Sequence, residues 1–244
     1  MKMTRILKGA GIRSSYGSMG AGAVTLIEDE KRILVDVGHF GNREVLVSRM
    51  RELGIRLSDI DIVVLTHINW DHCLNLDLFE DSAIILGARE YENGTLTGVR
   101  DGLTQMLKEY LSSMKYQLAE DGLVISKSTS ILATPGHTPG HISVAVRDDG
   151  RLIVISGDAI PNLRSYRRGI PDFVFYSLDD AKRSIAKIKA MKPSIIIPGH
   201  DPPFGDNGYL ETDIIDIILR NENEENTVLT LHKSSAEKPV IINE

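Results

Sequence analysis

Short apolar runs of strand length punctuate the chain, and several of them end in a loop that carries His or Asp. Residues 4–7, 23–27, 32–37, 60–65, 83–86, 130–133, 142–146, 152–155 and 194–197 read as strands, rich in Ile, Val and Leu and bounded by Gly, Pro, Asp or Ser. Helical spacing appears between them. Val45, Leu46, Met50 and Leu53 recur at helical intervals over 42–53, and Gly54 supplies a stop. Residues 178–191 form an amphipathic pattern that Ser177 can cap, with Asp180 three positions on. Residues 103–116 and 209–220 also read as helices, and 71–79 has helix-compatible spacing at Leu74 and Leu78. The irregular stretch from Glu90 to Gly122 sits where a lid or a dimerisation element could be inserted, which leaves a homodimer open. Strands clustered in each half with helices at intervals predict an α/β layered fold with mixed sheets.

Composition narrows the class. The chain has 244 residues with 42% apolar content, enough for one sizeable core, and no low-complexity linker divides it, so a single domain over 1–244 is expected. Acidic residues number 34 against 28 basic, and a net charge of −6 argues against a broad nucleic-acid-binding surface while leaving room for a small basic pocket. One cysteine, Cys73, cannot form a disulfide within the chain and suits a reducing cytoplasm. The first residues lack the apolar region of a signal peptide, and no stretch reaches the length of a membrane span. A cytoplasmic protein that does not engage the membrane is the expectation.

The candidate chemistry lies at the strand ends. After 60–65 comes "THINWDH", with His67, Asn69, Asp71 and His72; after 130–133, "TPGHTPGH", with His137 and His141; after 152–155, "SGDA", with Asp158; after 194–197, "PGHD", with His200 and Asp201. Strand ends hold side chains rigidly, and loops leave them reachable. Four such loops on one rim would gather imidazoles and carboxylates, a donor set suited to a first-row divalent metal. A single histidine is most often a surface or hydrogen-bonded core residue. Five of the seven histidines in three such loops are better explained by a metal than by chance. Gly136, Gly157 and Gly199 each precede a candidate and relax the backbone there. His39 and His232 lack this context and read as structural or surface residues. His141, one turn-length past His137, reads as a supporting residue.

These loops, in this order after Asp36 of "LVDVG", resemble the metallo-β-lactamase superfamily over nearly the whole chain. The resemblance implies a four-layer αββα sandwich with mixed sheets and a dinuclear site on one edge. It implies that His67 and His137 serve a first metal, that Asp71, His72 and His200 serve a second, that Asp158 bridges, and that Asp36 orients the loops from behind. The family pattern His-x-His-x-Asp-His departs here at Asn69, a neutral and weaker donor than imidazole, so the first position is expected to be looser. The short chain and "DHCLNLDLF" are most similar to the metallo-β-lactamase domain-containing protein 1 group.

The resemblance implies a hydrolase that uses metal-activated water, with one or two Zn2+ ions expected and Fe or Mn as alternatives. Asp71 or Asp158 is the natural proton acceptor. The substrate is left open among esters, thioesters, lactones, lactams and phosphodiesters, as a small molecule or a short nucleic acid. A rival reading is a mononuclear iron oxygenase on His67, His137 and Asp158, as in the persulfide dioxygenases of the superfamily. A third is a non-catalytic metal-binding module. Past Asp158, "RSYRR" places Arg164, Arg167 and Arg168 where a loop at the mouth would attract an anionic substrate, against the plain alternative of a solvated basic turn.

Overall fold

Alternation along the strands assigns each apolar side chain to one of two faces. In the computed structural model, which describes residues 1–15, 17–220, 226–233 and 241–242, two six-stranded sheets use that alternation to share a core. Ile33, Val35, Ile62, Val64 and Ile85 of the first sheet meet Ile131, Val144, Val146, Ile153 and Ile155 of the second. The residues between them face outward. Leu34, Val63, Ile84 and Leu86 pack with Leu46 and Met50 of the Arg43–Glu52 helix. Leu152, Val154 and Ile196 pack with Ile185 and Ile188 of the Leu178–Ala190 helix. The layers are helix, sheet, sheet, helix: an αββα sandwich.

The first sheet runs Lys2–Leu7, Val24–Glu28, Arg32–Val35, Ile62–Val64, Ala83–Gly87, Tyr116–Ala119, antiparallel for its first two pairings and parallel thereafter. The second runs Gly208–Tyr209, Phe204–Gly205, Ile195–Pro198, Arg151–Gly157, Ile142–Asp148, Thr129–Ala133, with Ile195–Pro198 parallel to Arg151–Gly157. Parallel neighbours place their carboxyl ends on one edge, where α/β sheets hold ligands. The loops after Arg32–Val35, Ile62–Val64, Arg151–Gly157 and Ile195–Pro198 carry Asp36, the "THINWDH" residues, Asp158 and His200.

Three segments differ from the sequence pattern. The helix expected over 209–220 is instead two strands of different sheets, Gly208–Tyr209 and Asp213–Arg220, the latter antiparallel to Asn226–Lys233. Its four isoleucines are β-branched and lose side-chain freedom in a helix. Its first residue is held by a two-pronged pair, with Arg5 Nη1 and Nη2 on the Asp213 carboxylate at 2.9 and 2.7 Å. The helix expected over 103–116 is Gly102–Ser113, and Tyr116–Ala119 is the edge strand of the first sheet. Leu111 of that helix sits in the outer core of the first sheet, so the helix belongs to a layer of the sandwich. The "RSYRR" segment is not a loop but the short helix Leu163–Arg168, capped by Asn162, whose side chain accepts from the Ser165 amide. As expected, Ser177 caps the Leu178–Ala190 helix by accepting from the Asp180 amide. Among the described residues, no helix is long and apolar enough to cross a membrane.

The turn between Val24–Glu28 and Arg32–Val35 clasps the second sheet through Asp29. Its carboxylate accepts from Ser126 Oγ at 2.9 Å and from Ser128 Oγ at 2.6 Å and the Ser128 amide at 3.2 Å. Bonding to Ser128 outweighs burial and pulls the Asp29 pKa from 3.8 to about 2. A depressed folded-state pKa contributes stability above the unfolded value that is lost as pH falls through the folded one. Asp29→Asn is therefore expected to be less stable than the parent near neutral pH, with the gap closing as pH drops from 3.8 toward about 2. Urea unfolding of both proteins across that range checks this; a gap independent of pH would show that the clasp does not depend on the charge.

Candidate metal centre

The centre is built from histidines that are each tethered at Nδ1. Asp36, the residue after Arg32–Val35, adopts a left-handed backbone (φ 59°) that turns its carboxylate back over the strand end. That carboxylate accepts from the Thr66 amide at 2.7 Å, from Thr66 Oγ1 at 2.9 Å and from His72 Nδ1 at 2.8 Å. Thr66 Oγ1 spends its hydrogen on Asp36, so it accepts from His67 Nδ1 at 3.0 Å. His137 Nδ1 donates to the Phe173 carbonyl at 3.0 Å, and His200 Nδ1 to the Ala21 carbonyl at 3.0 Å. A proton fixed on Nδ1 leaves Nε2 as the lone-pair nitrogen. In all four rings, Nε2 faces the same space.

Two triads result: His67, His137 and Asp158, all buried, and Asp71, His72 and His200, of which only His72 is fully buried. Within each, the donor atoms lie within 4.8 Å of one another. Asp158 spans both. Its Oδ2 is 3.5 Å from His137 Nε2, while its Oδ1 is 3.6 Å from His72 Nε2 and 3.2 Å from His200 Nε2. Asp71 Oδ2 lies 3.7 Å from His72 Nε2 and 3.4 Å from His200 Nε2. Asn69 also faces the centre. Its Nδ2 donates to the Thr95 carbonyl at 2.8 Å, which turns Oδ1 toward His137 Nε2 at 2.9 Å, so that with Nδ1 protonated two lone pairs face each other unless a proton or a cation lies between them.

This donor set fits a divalent cation. His67 Nε2 and His72 Nε2 are buried without a hydrogen-bond partner and Asp158 Oδ1 has only His200 Nε2 at 3.2 Å, a costly state for buried polar atoms unless a cation satisfies them. Burial holds the His67 pKa far below its usual range, helped by repulsion from His72, so its ring is neutral and able to donate its lone pair. Burial also pushes His72 down, but Asp71, Asp36 and Asp158 outweigh it and raise it to about 10. Burial likewise opposes charge on His200, and Asp158 and Asp71 raise it. The outer triad thus favours positive charge, whether a proton or a metal supplies it.

The remaining sequence candidates have clear places. His141 stands behind the centre: Nδ1 donates to Thr134 Oγ1 at 2.9 Å, and Nε2 accepts from the Asp158 and Ala159 amides at 3.0 and 3.2 Å. It positions the Asp158 loop. His39 accepts from the Gly41 amide and packs edge-on against Trp70. Asp201 accepts from the Leu163 amide at 3.1 Å and from Tyr209 Oη. Gly199 does not need a left-handed backbone; it needs space, because a Cβ there would meet Asp158 Oδ1 at 2.1 Å.

Two contributors carry no sequence signal of their own. Glu90 is fully buried and accepts from the Ile68 amide at 3.0 Å, Thr138 Oγ1 at 2.7 Å and the Gly140 amide at 3.0 Å. It ties the "THINWDH" loop to the "TPGHTPGH" loop. Gly22 lets the ring of His72 approach, since a Cβ there would lie 2.6 Å from it. Both lie in unremarkable surroundings, and their partners are 22 to 50 residues away in sequence.

A cavity of about 780 Å³ opens over the centre. Asn69, Asp71, His137, Asp158 and His200 form its floor, and Trp70, Leu96, Phe173 and Phe175 give it apolar walls. Arg13, Arg164 and Arg168 also line it, whereas Arg167 does not.

Comparison with known proteins places these features in a family. The model of the "Metallo-beta-lactamase superfamily" matches residues 18–200. Metallo-beta-lactamase domain-containing protein 1 of Xenopus laevis is 29% identical, over 75% of this chain and 72% of its own length. N-acyl homoserine lactonase of Bacillus cereus is 26% identical, over 64% of this chain and 62% of its own. In structure, a metallo-beta-lactamase-like protein of Thermotoga maritima superposes with a TM-score of 0.68 at 21% identity, covering 84% of this chain and 98% of that one.

The tethers predict two outcomes. Asp36→Ala is expected to weaken divalent-metal binding by about 10–100-fold, the usual effect of removing a partner that orients a ligand ring; titration calorimetry on metal-free protein measures it, and unchanged affinity would show that His72 needs no tether. Asn69→His adds an imidazole donor beside His67 and His137 and is expected to raise affinity at the inner triad. Identical stoichiometry and affinity in parent and variant would remove residue 69 from the centre.

Proposed function

The chain belongs to the metallo-β-lactamase superfamily and is a metallo-hydrolase; within that activity we propose that it cleaves ester and lactone bonds. The observation that carries this reading is the convergence of four tethered Nε2 atoms and the Asp158 carboxylate at the floor of an open cavity with apolar walls. We assign His67, Asn69 and His137 to the inner metal, Asp71, His72 and His200 to the outer, and Asp158 to both. A divalent cation held there lowers the pKa of water and polarises the scissile carbonyl.

The protein's own groups do the rest. The water oxygen bonds to the carbonyl carbon, the C–O bond to the leaving alcohol breaks, and the leaving oxygen takes a proton. Asp71 lines the cavity, and with Oδ2 given to the outer triad its second carboxylate oxygen is left to take one proton from the water and return it to the leaving oxygen. Asp158 stays ionised: burial opposes its charge, but positive charge at the centre, on His200, His72 and His137 here and on a cation when one is held there, keeps its pKa well below the usual carboxylate range. Trp70, Leu96 and Phe175 suit the apolar part of an acyl chain and keep water from the bound carbonyl.

A relative named for lactone hydrolysis supports the bond type. The "DHCLNLDLF" stretch and the 29% identity to the Xenopus protein support placing the chain in the metallo-β-lactamase domain-containing protein 1 group. The oxygenase reading needs only His67, His137 and Asp158, and gives the complete outer triad no part. With the Asp71 carboxylate neutralised, Asp71→Asn is expected to lower kcat on 4-nitrophenyl butyrate by about 10²–10⁴-fold, the usual worth of a positioned general base. Steady-state kinetics on parent and variant brought to equal metal content test this and separate loss of the base from loss of a ligand. Oxygen uptake with no ester or lactone turnover would overturn the hydrolase assignment.

A further inference from the structure

The cavity mouth carries more positive charge than its neighbours neutralise. Arg164 Nη2 bonds Asp172 Oδ2 at 2.7 Å, and Arg168 Nη1 lies 3.7 Å from Asp172 Oδ1. Arg13, on the hairpin formed by Arg13–Ser14 and Gly17–Ser18, stacks its guanidinium over Phe173, with Cζ 5.1 Å from the ring centroid. Asp172 and Phe173 are adjacent, so three guanidinium groups gather on two consecutive residues. Asp172 stands against them, and Asp201 adds its charge at Arg164. Among the described residues, Arg13 has no carboxylate partner, and three positive charges against two carboxylates leave an excess of one.

The nearby acids do not cancel this excess. Asp71 and Asp158 face the histidines on the floor. Asp201 is buried, accepts from the Leu163 amide and Tyr209, and acts on Arg164, which Asp172 already holds. The exposed faces of Arg13 and Arg168 are therefore left to meet a ligand. A guanidinium presents a planar fork of donors that matches the oxygens of a carboxylate or a phosphate, and an aromatic ring beneath it fixes its plane.

Resting on the hydrolase reading above, we infer that the substrate carries a carboxylate or phosphate group at a distance from the scissile bond, held at the mouth by Arg13 and Arg168. Arg164 is spent on Asp172 and braces the helix end beside them. The substrate spans the cavity: carbonyl at the metal floor, apolar chain along Trp70, Leu96 and Phe175, anionic end at the arginines. Asp172 sets the strength of that grip by absorbing part of the positive charge.

The test is a matched pair of esters, 4-nitrophenyl butyrate and mono-4-nitrophenyl glutarate, which share the scissile bond and differ in a terminal carboxylate. The metal-loaded parent enzyme is expected to show a KM lower by about tenfold for the glutarate ester, the worth of one charge-assisted hydrogen bond. Arg13→Gln and Arg168→Gln bring the ratio of the two KM values toward one. Asp172→Asn moves the ratio the other way, and Arg167→Gln, on the same helix but off the cavity, leaves it as in the parent. Hydrolysis of both esters with equal KM, or a ratio indifferent to Arg13 and Arg168, overturns the inference while leaving the hydrolase intact. If neither ester is cleaved, the proposed bond type fails instead. Glutarate and inorganic phosphate titrated calorimetrically into metal-loaded parent and Arg13→Gln/Arg168→Gln protein then decide: weaker binding to the double variant upholds the anion site, with the tighter of the two ligands identifying its preferred group, and equal binding overturns it.

Discussion

The carboxylate of Asp36 is the fixed point of the molecule. It sits at the end of a buried strand, in a left-handed backbone turn, and reaches two neighbours at once. Through Thr66 it sets the proton on His67, and directly it sets the proton on His72. Neither ring could present Nε2 reliably if Nδ1 were free to lose its proton. The Phe173 and Ala21 carbonyls do the same for His137 and His200. A metal centre needs lone pairs aimed at one point, and the fold meets that need by occupying the opposite side of each ring.

The sandwich supplies the rigidity on which those tethers depend. Each sheet buries both faces, and the parallel strands deliver their loops to one edge. Glu90 then joins two of those loops from beneath, and His141 joins the backbone of the Asp158 loop to the Thr134 hydroxyl. Burying a carboxylate such as Glu90 is costly, and burial pushes its pKa up. Three hydrogen bonds offset the cost, and the two histidine loops are fixed relative to each other as a result.

Much of this was legible in the chain. Apolar runs ending in His or Asp located the rim, because the strand period and the turn residues are local signals. The segments that misled were those in which local pattern and context compete. Residues 213–220 have apolar spacing that a helix could also use, and the β-branched isoleucines decide for a strand only once Asn226–Lys233 pairs with them. Tyr116–Ala119 is a four-residue edge strand whose identity rests on its neighbour Ala83–Gly87. The "RSYRR" arginines were visible as a charged run, but only the fold separates Arg164 and Arg168, on the cavity, from Arg167, off it, and brings Arg13 to them from a distant hairpin.

Gly22 and Gly199 give the centre a second kind of specification. One lies against the ring of His72 and the other against the Asp158 carboxylate, at distances where a single methyl group would displace a donor. An inventory of coordinating side chains would pass over both positions, yet an alanine at either forces the His72 ring or the Asp158 carboxylate to move. In a library of variants, these two positions are expected to resist any side chain larger than hydrogen. The mutational footprint of the centre is therefore wider than its list of ligands.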